Sequence, residues 1–516
     1  MTLDFRLLTE QLWEAMEMFY VSTRGNHPAV SSAEAIKMGI SPDGGLFVPD
    51  APVRVSPELM QRMKEMPYRE RAAEILRLYL TDFTAAELED CAARAYNTNN
   101  YDVEEIAPVK ELEPGTYVLE LWHGPTCAFK DMALQILPRF LPRAAAKTGE
   151  KGEIVILVAT SGDTGKAALE GFKDVPGTRI MVFFPDQGVS QVQRLQMVTQ
   201  EGDNVGVMAV RGNFDDAQSG VKAIFTDADI NRRVGEKGFR FSSANSINWG
   251  RLAPQIVYYF SAYLDLLREG KLAEGEPVNF VVPTGNFGNI LAGFYARQAG
   301  LPVNRLICAA NENNVLTDFV RTGIYDRNRR FVRTISPSMD ILISSNLERL
   351  LYELSGGDTT TVRDWMNELR EKGMYQVGGG LLAQLQALFW SDFSSDRETK
   401  DAIRETFDRT GYVADTHTAV GLDVYKKYVL QTGDRTKTVI VSTASPFKFN
   451  DSVVEALQGK EAVKGKDEFE LLHELARISG LEIPVGLKDL DRRPVRHDGV
   501  VDREEMPRAV FDFLNI

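Results

Sequence analysis

The chain of 516 residues is 44% hydrophobic and 26% charged, with a net charge of −14 and a pI near 5.1. Such a length and composition belong to a globular protein of about two to four domains. The acidic balance argues against broad binding to nucleic acid or to an anionic membrane surface, while leaving room for one local basic pocket.

No apolar run reaches the roughly 18 residues of a membrane span. Cys91, Cys127 and Cys308 are far apart and odd in number. Neither a disulfide framework nor a paired-cysteine metal site is expected, and a reducing cytoplasm is. Near the N-terminus, Asp4, Glu10, Glu14 and Glu17 argue against a signal or transit peptide. Leu7 to Tyr20 has the spacing of a short amphipathic helix. Tyr20 to Gly25 (YVSTRG) reads as strand and turn, and Ser41 to Gly45 (SPDGG) as a turn cluster. Residues 56–96 are mostly helical in pattern and end in the polar run Asn97 to Asn100, a soft boundary.

From about residue 117 the pattern alternates. Short apolar runs at 154–159, 180–184, 205–210, 280–282, 306–309 and 439–441 read as strands. Helical patterns lie at 130–146, 165–174, 190–201, 215–233, 252–268 and 290–299. The alternation predicts βαβ units and a mostly parallel sheet, an α/β fold. Further helices are expected at 346–372 and 379–410, and the C-terminal stretch reads as helix, irregular strand and helix.

Leu119 to Leu134 (LELWHGPTCAFKDMAL) is the stretch around which the chemistry gathers. A strand ends, Gly124 and Pro125 break the backbone, and helical spacing resumes at Phe129. Lys130 therefore sits at a strand–turn–helix junction, where α/β sheets bind ligands. A helix N-terminus repels a cation, and burial would depress the ammonium further, favouring a nucleophilic amine.

Other loops could serve that amine. Val281 to Ile290 (VVPTGNFGNI) runs a strand into a glycine loop and a helix start, a geometry that offers backbone N–H groups to a phosphate. Thr160 to Gly165 (TSGDTG) fails as a nucleotide loop but suits a carboxylate or phosphate; its alternative is helix capping by Ser161, Asp163 or Thr164. Ser242 to Arg251 (SSANSINWGR) combines amides with an arginine fork for an oxyanion. Thr443, at the end of the run 439–441, could meet a heteroaromatic nitrogen. His123 and His417 read as core or loop histidines.

A reactive lysine, a phosphate cup, an oxyanion loop and a strand-end hydroxyl together suit pyridoxal 5′-phosphate and an amino acid. The resemblance is to threonine synthase, of the longer bacterial and fungal type, within the fold type II pyridoxal-phosphate enzymes. It is carried by YVSTRG (20–25), SPDGGLFVP (41–49), HGPTCAFKD (123–131), ATSGDTG (159–165), NSIN (245–248), PTGNFGNILAG (283–293), NENNVLTDF (311–319), SPSMDILISSNLERLL (336–351) and HTAVG (417–421). Trp122, Thr416 and Ser445 depart from the family pattern, standing where phenylalanine, proline and histidine are usual.

The resemblance implies a tryptophan synthase β-like fold, with parallel-sheet domains enclosing the cofactor and additions at both ends. The expected divisions are an N-terminal domain over 1–100, a smaller α/β domain over 101–270 holding Lys130, and a larger phosphate-binding domain over 271–516. It implies conversion of O-phospho-L-homoserine and water to L-threonine and phosphate. Lys130 would carry the cofactor covalently and then move protons. Gly285, Asn286, Phe287, Gly288 and Asn289 would surround the cofactor phosphate, and Thr443 would meet the pyridine nitrogen. Thr160, Ser161, Asp163 and Thr164 would lie around the substrate carboxylate or the cofactor, with Asn245 and Arg251 on the substrate phosphate. No metal is expected, and the chain would act as a monomer or homodimer. The alternatives are a sister lyase such as a serine or threonine dehydratase, or a catalytically silent relative.

Overall fold

Two mainly parallel sheets carry the architecture of the computed structural model, which describes residues 17–160, 162–187 and 189–516. The α/β expectation holds. The larger sheet has six strands in the spatial order Phe389–Phe393, Val303–Ala310, Val278–Pro283, Thr438–Ser442, Thr116–Glu120 and Val109–Glu113. All its neighbours run parallel except the last pair. The smaller sheet is wholly parallel, in the order Val500–Val501, Val205–Val210, Thr178–Pro185, Glu153–Ala159 and Phe239–Ser242.

Each sheet reverses its winding. In the smaller sheet the chain steps one way from Glu153–Ala159 and returns to place Phe239–Ser242 on the other side. In the larger one it steps away from Val278–Pro283 and returns as Thr438–Ser442. Crevices open at the carboxyl ends of strands where such reversals occur, because the connections leave to opposite faces. The loops singled out in the sequence follow these strands.

The central strands are buried on both faces, which explains their near-continuous apolar runs. The helix Trp249–Arg268 is buried over almost its whole length and joins the N-terminal helices to the sheets. Against it pack Pro57–Lys64 and Tyr68–Tyr79, with Ala85–Ala95 beside the latter. Arg71 is buried there with Asp265 at 2.8 Å and the Ser261 hydroxyl at 2.8 Å, so its charge is paired.

Several local expectations change. The helix over Leu7 to Tyr20 lies outside the described residues up to Met16, and Glu17 to Phe19 are not helical. The run 346–372 divides into Leu347–Leu354 and Thr359–Glu371, because Gly356 and Gly357 take positive φ between them. The run 379–410 conceals the edge strand Phe389–Phe393. Residues 109–120 join the larger sheet and Val500–Val501 the smaller, so neither sheet is one contiguous run of chain. Among the described residues, no helix is long and apolar enough to cross a membrane.

Candidate active site

Lys130 follows a turn that the chain ties down tightly. The buried Asp131 carboxylate accepts from the Thr126 amide at 2.8 Å and its hydroxyl at 2.7 Å. Burial pushes that carboxyl up to about 6. Gly124 is required beside it, since a Cβ there would lie 2.6 Å from an Asp131 carboxylate oxygen. Phe129 N donates to Thr443 O at 2.8 Å and Ser445 N to Cys127 O at 3.0 Å. This short antiparallel bridge sets Lys130 beside Thr443, at the ends of two neighbouring parallel strands.

Lys130 is buried and immediately precedes a helix of only four residues, Asp131–Leu134. The sequence reading placed weight on the helix dipole. It also named burial, which in the structure pushes the ammonium down; Asp163 opposes this, and the charges of Arg251 and Lys448 reinforce it. Its Nζ stands 3.4 Å from Asp163 Oδ2 and 3.4 Å from Ser338 Oγ.

The loop after Glu153–Ala159 is organised by Thr160. Its hydroxyl accepts from Gly162 N at 3.0 Å and Gly165 N at 2.9 Å and donates to Gly162 O at 3.2 Å. That side chain is thus fully employed inside the loop. The first-turn amide of Gly165 in the helix Asp163–Phe172 is thus met by Thr160, and neither Asp163 nor Thr164 caps that helix. Thr164 is half-buried beside the site, and Ser161 lies outside the described residues. Asp163 is buried and bonded on both carboxylate oxygens. Burial would raise its carboxyl, but Lys448 and Lys130 outweigh that and hold it far below the usual carboxylate range.

Beyond Phe239–Ser242, Asn248 caps the helix Trp249–Arg268 by accepting from Gly250 N at 2.9 Å. Its amide nitrogen donates to Ile36 O and Ser243 O, each at 3.0 Å, which fixes the loop. Arg251 is 4% exposed, and among the described residues its guanidinium makes one hydrogen bond, from Nη1 to Ala244 O at 2.9 Å. No carboxylate pairs with it among the described residues, and burial pushes the guanidinium down to about 10. Asn245 is half-buried, with an unengaged side-chain amide.

The glycine loop leaves Val278–Pro283 and enters the helix Gly288–Gln298. Its left-handed residue is Phe287, at φ 62°, not a glycine. Phe287 is buried, with its ring 5.8 Å from that of Phe389, and this packing offsets the backbone strain. Gly285 is needed for close approach, because a Cβ would lie 2.7 Å from Ser338 O. Gly288 has room for one, 3.4 Å from Asn346. Asn289 accepts from the hydroxyls of Tyr258 at 2.6 Å and Tyr259 at 2.8 Å, while its buried Nδ2 has no partner.

Sequence reasoning missed the cover over this loop. Ser344 Oγ donates to Gly285 O at 2.6 Å, and Asn346 donates to Asn286 O through both its amides. Upstream, Asp340 accepts from Asn311 Nδ2 at 2.8 Å and Asn313 Nδ2 at 2.9 Å. Ser338 N donates to His417 Nε2 at 3.1 Å, and His417 Nδ1 lies 3.0 Å from Asp415. His417 is therefore buried and satisfied, as expected, yet it holds the segment that reaches Lys130. Lys448 was missed outright; its only sequence signal is a lysine between two phenylalanines immediately after a strand-end turn.

Comparison with known proteins places these features in one family. Family models match throughout: "Threonine synthase N terminus" over residues 19–96, "Pyridoxal-phosphate dependent enzyme" over 96–379 and "Threonine synthase, C-terminal" over 418–504. Threonine synthase of Pseudomonas aeruginosa is 40% identical over 85% of this chain and 90% of its own. Human threonine synthase-like 1 is 40% identical over 83% of this chain, which spans 58% of that protein's length. The crystal structure of pyridoxal-phosphate-bound threonine synthase from Brucella melitensis superposes with a TM-score of 0.85 at 35% identity, covering 96% of this chain and 99% of that one.

Proposed function

Because this chain belongs to the threonine synthase family of pyridoxal-phosphate dependent enzymes, we propose that it converts O-phospho-L-homoserine and water to L-threonine and phosphate. The observation that carries this reading is Arg251. It is a buried guanidinium without a carboxylate, and its charge bears on Lys130. A buried cation left unpaired is costly, so its retention points to an anion that arrives with the substrate. A substrate phosphate meets that need; serine and threonine bring a carboxylate to the site but no second anion to occupy Arg251 as well.

The family's cofactor fits the residues present. Asn289 Nδ2 is a buried donor without a partner in the first turn of an 11-residue helix, and no side chain caps that helix. A phosphate would supply the missing acceptor and suit the positive helix end. Gly285 to Asn289 would hold that phosphate, Thr443 would face the pyridine nitrogen, and Lys130 would carry the aldehyde carbon. When bound, pyridoxal phosphate withdraws electrons from the substrate's Cα.

Lys130, once released, takes the protons from Cα and Cβ. The Cγ–O bond breaks and phosphate leaves with the electron pair, held by Arg251 and Asn245. Protonation at Cγ gives the methyl group, hydroxide from water joins Cβ, and a proton returns to Cα. The segment from Ser336 to Asn346 lies over the glycine loop and Lys130, excluding water until that addition. We place the protein in the cytoplasm, reading its three unpaired buried thiols as those of a reducing compartment.

The test is release of phosphate with formation of threonine from O-phospho-L-homoserine by the purified protein, absent in Lys130→Ala. Ammonia release from serine or threonine, without phosphate release from the phosphorylated substrate, overturns the assignment in favour of a dehydratase. No turnover of either substrate favours the silent relative.

A further inference from the structure

Asp163 stands where the sequence suggested a contact to the substrate's carboxylate, but its surroundings suit a different partner. Oδ1 lies 2.8 Å from Lys448 Nζ and 3.1 Å from Gln193 Nε2. Oδ2 lies 3.4 Å from both Lys130 Nζ and Ser338 Oγ. A second carboxylate brought against this anion would be repelled.

Lys448 is equally committed. Its side chain has 0% exposure, and its Nζ reaches Asp163, Thr126 O at 2.9 Å and Gln196 Oε1 at 3.3 Å. An ammonium has three N–H groups, so three acceptors leave none for a ligand. Lys448 is thus no phosphate binder. Its contacts join the turn before Lys130, the helix Gln191–Val198 and the loop holding Asp163.

We propose that Asp163 and Lys448 are positioning residues for the reactive amine: Asp163 receives the Lys130 amine each time it is released and holds it as an ammonium once it has taken a proton, and Lys448 fixes Asp163 for that purpose. A buried ion pair seldom repays its desolvation through stability alone, and this one has a geometric use. It gives the freed amine a defined resting place within reach of the reacting carbons. The inference rests on the proposed role of Lys130 as the amine that captures the cofactor.

The titratable and charged groups facing this pair come from several elements. Arg251 bears on Lys130 from the helix Trp249–Arg268, and His417 bears on Asp163 from the helix Thr416–Thr432. Asp131, next to Lys130 in sequence, is engaged by Thr126. Asp163 is the carboxylate within reach of Lys130 Nζ.

The experiment follows capture of pyridoxal phosphate by the full-length protein freed of cofactor, as a function of pH. The rate rises with the fraction of free amine, so the midpoint of the profile reads Lys130, while its amplitude also reflects attraction of the phosphate. Asp163→Asn should lower the midpoint by on the order of one pH unit, because a stabilising anion is lost. Lys448→Met should raise it, because a repelling cation is lost while Asp163 stays ionised beside Lys130.

A purely structural pair would lower the melting temperature and leave both midpoints in place. Unmoved midpoints, or shifts in the same direction, overturn the proposal. If Lys448→Met does not fold, Lys448→Gln keeps a donor for Thr126 O and should shift the midpoint upward too. Failure of Asp163→Asn to lower it is fatal by itself. Phosphate release from O-phospho-L-homoserine is measured separately, so a negative result here leaves the proposed reaction standing.

Discussion

Replacing Arg251 by methionine should raise stability and destroy phosphate binding together. Burial brings the guanidinium to about 10, and the distance from its ordinary value of about 12.5 corresponds to roughly 3 kcal/mol at neutral pH. Because the pKa is depressed, this penalty is present at all pH values below it. Methionine removes the charge and retains most of the apolar stem's packing. The lost bond to Ala244 O costs about 1 kcal/mol. The balance is a gain of about 1–2 kcal/mol, seen as a melting temperature a few degrees higher. Charge-assisted contacts to phosphate are each worth about 1.5–3 kcal/mol, so affinity for substrate and inorganic phosphate should fall about tenfold to a hundredfold. Thermal melts of the cofactor-loaded protein, with and without phosphate, read both effects. Phosphate should raise the melting temperature of the parent and scarcely that of the variant. A variant that melts lower and still responds to phosphate like the parent refutes the reasoning, since Arg251 would then be a structural residue.

Four further substitutions test other parts of the structure. Gly285→Val should weaken cofactor retention, since its Cβ meets Ser338 O, whereas Gly288→Ala should be tolerated; equal loss of pyridoxal-phosphate absorbance on gel filtration would contradict the geometry. Asn289→Leu should lower cofactor affinity by fluorescence titration at a stability cost of only about 1 kcal/mol, since the Tyr258 hydroxyl keeps Gln255 Oε1 at 3.2 Å and the Tyr259 hydroxyl keeps the main-chain carbonyl of Asn289 at 2.9 Å as acceptors. Burial lowers the His123 imidazolium, but Asp102 at 2.6 Å and Glu120 at 3.1 Å outweigh it and raise the folded pKa above its ordinary value. Its stabilisation is complete below about pH 6.5 and disappears as pH rises through the folded value, so His123→Gln should flatten the fall in melting temperature over that alkaline range.

Much of this architecture was legible because buried parallel strands leave an apolar run and loops at their ends leave glycines and hydroxyls. The strands Glu153–Ala159, Val278–Pro283 and Thr438–Ser442 announce themselves in this way, as do the loops beyond them. The edge strand Phe389–Phe393 does not. Its sequence FWSDF is short and lies between two helical patterns, and its pairing with Val303–Ala310 is invisible to local periodicity. Val109–Glu113 (VKELE) is likewise an exposed, charged edge with no apolar signature. Gly356 and Gly357, by contrast, were readable breakers within a run taken as one helix.

The charges at the centre were legible singly and illegible as an arrangement. Lys130 lies 33 residues from Asp163 and 208 from Ser338, separations over which sequence spacing carries no geometric information. The fold brings them together through the winding reversals of its two sheets. Glu153–Ala159 and Phe239–Ser242 are neighbours at one reversal, and they deliver Asp163, Asn245 and Arg251. Val278–Pro283 and Thr438–Ser442 are neighbours at the other, with Thr116–Glu120 alongside, and they deliver the glycine loop, Thr443 with Lys448, and Lys130. Each sheet therefore brings both kinds of group, amide or hydroxyl donors and a buried charge. Lys448 illustrates the consequence: among strand-end residues it looks like any lysine, and the opposing sheet's Asp163 gives it a counter-ion. A site divided between two reversals can bury a cation–anion–cation row, since the anion comes from one sheet's loops and both cations from the other's.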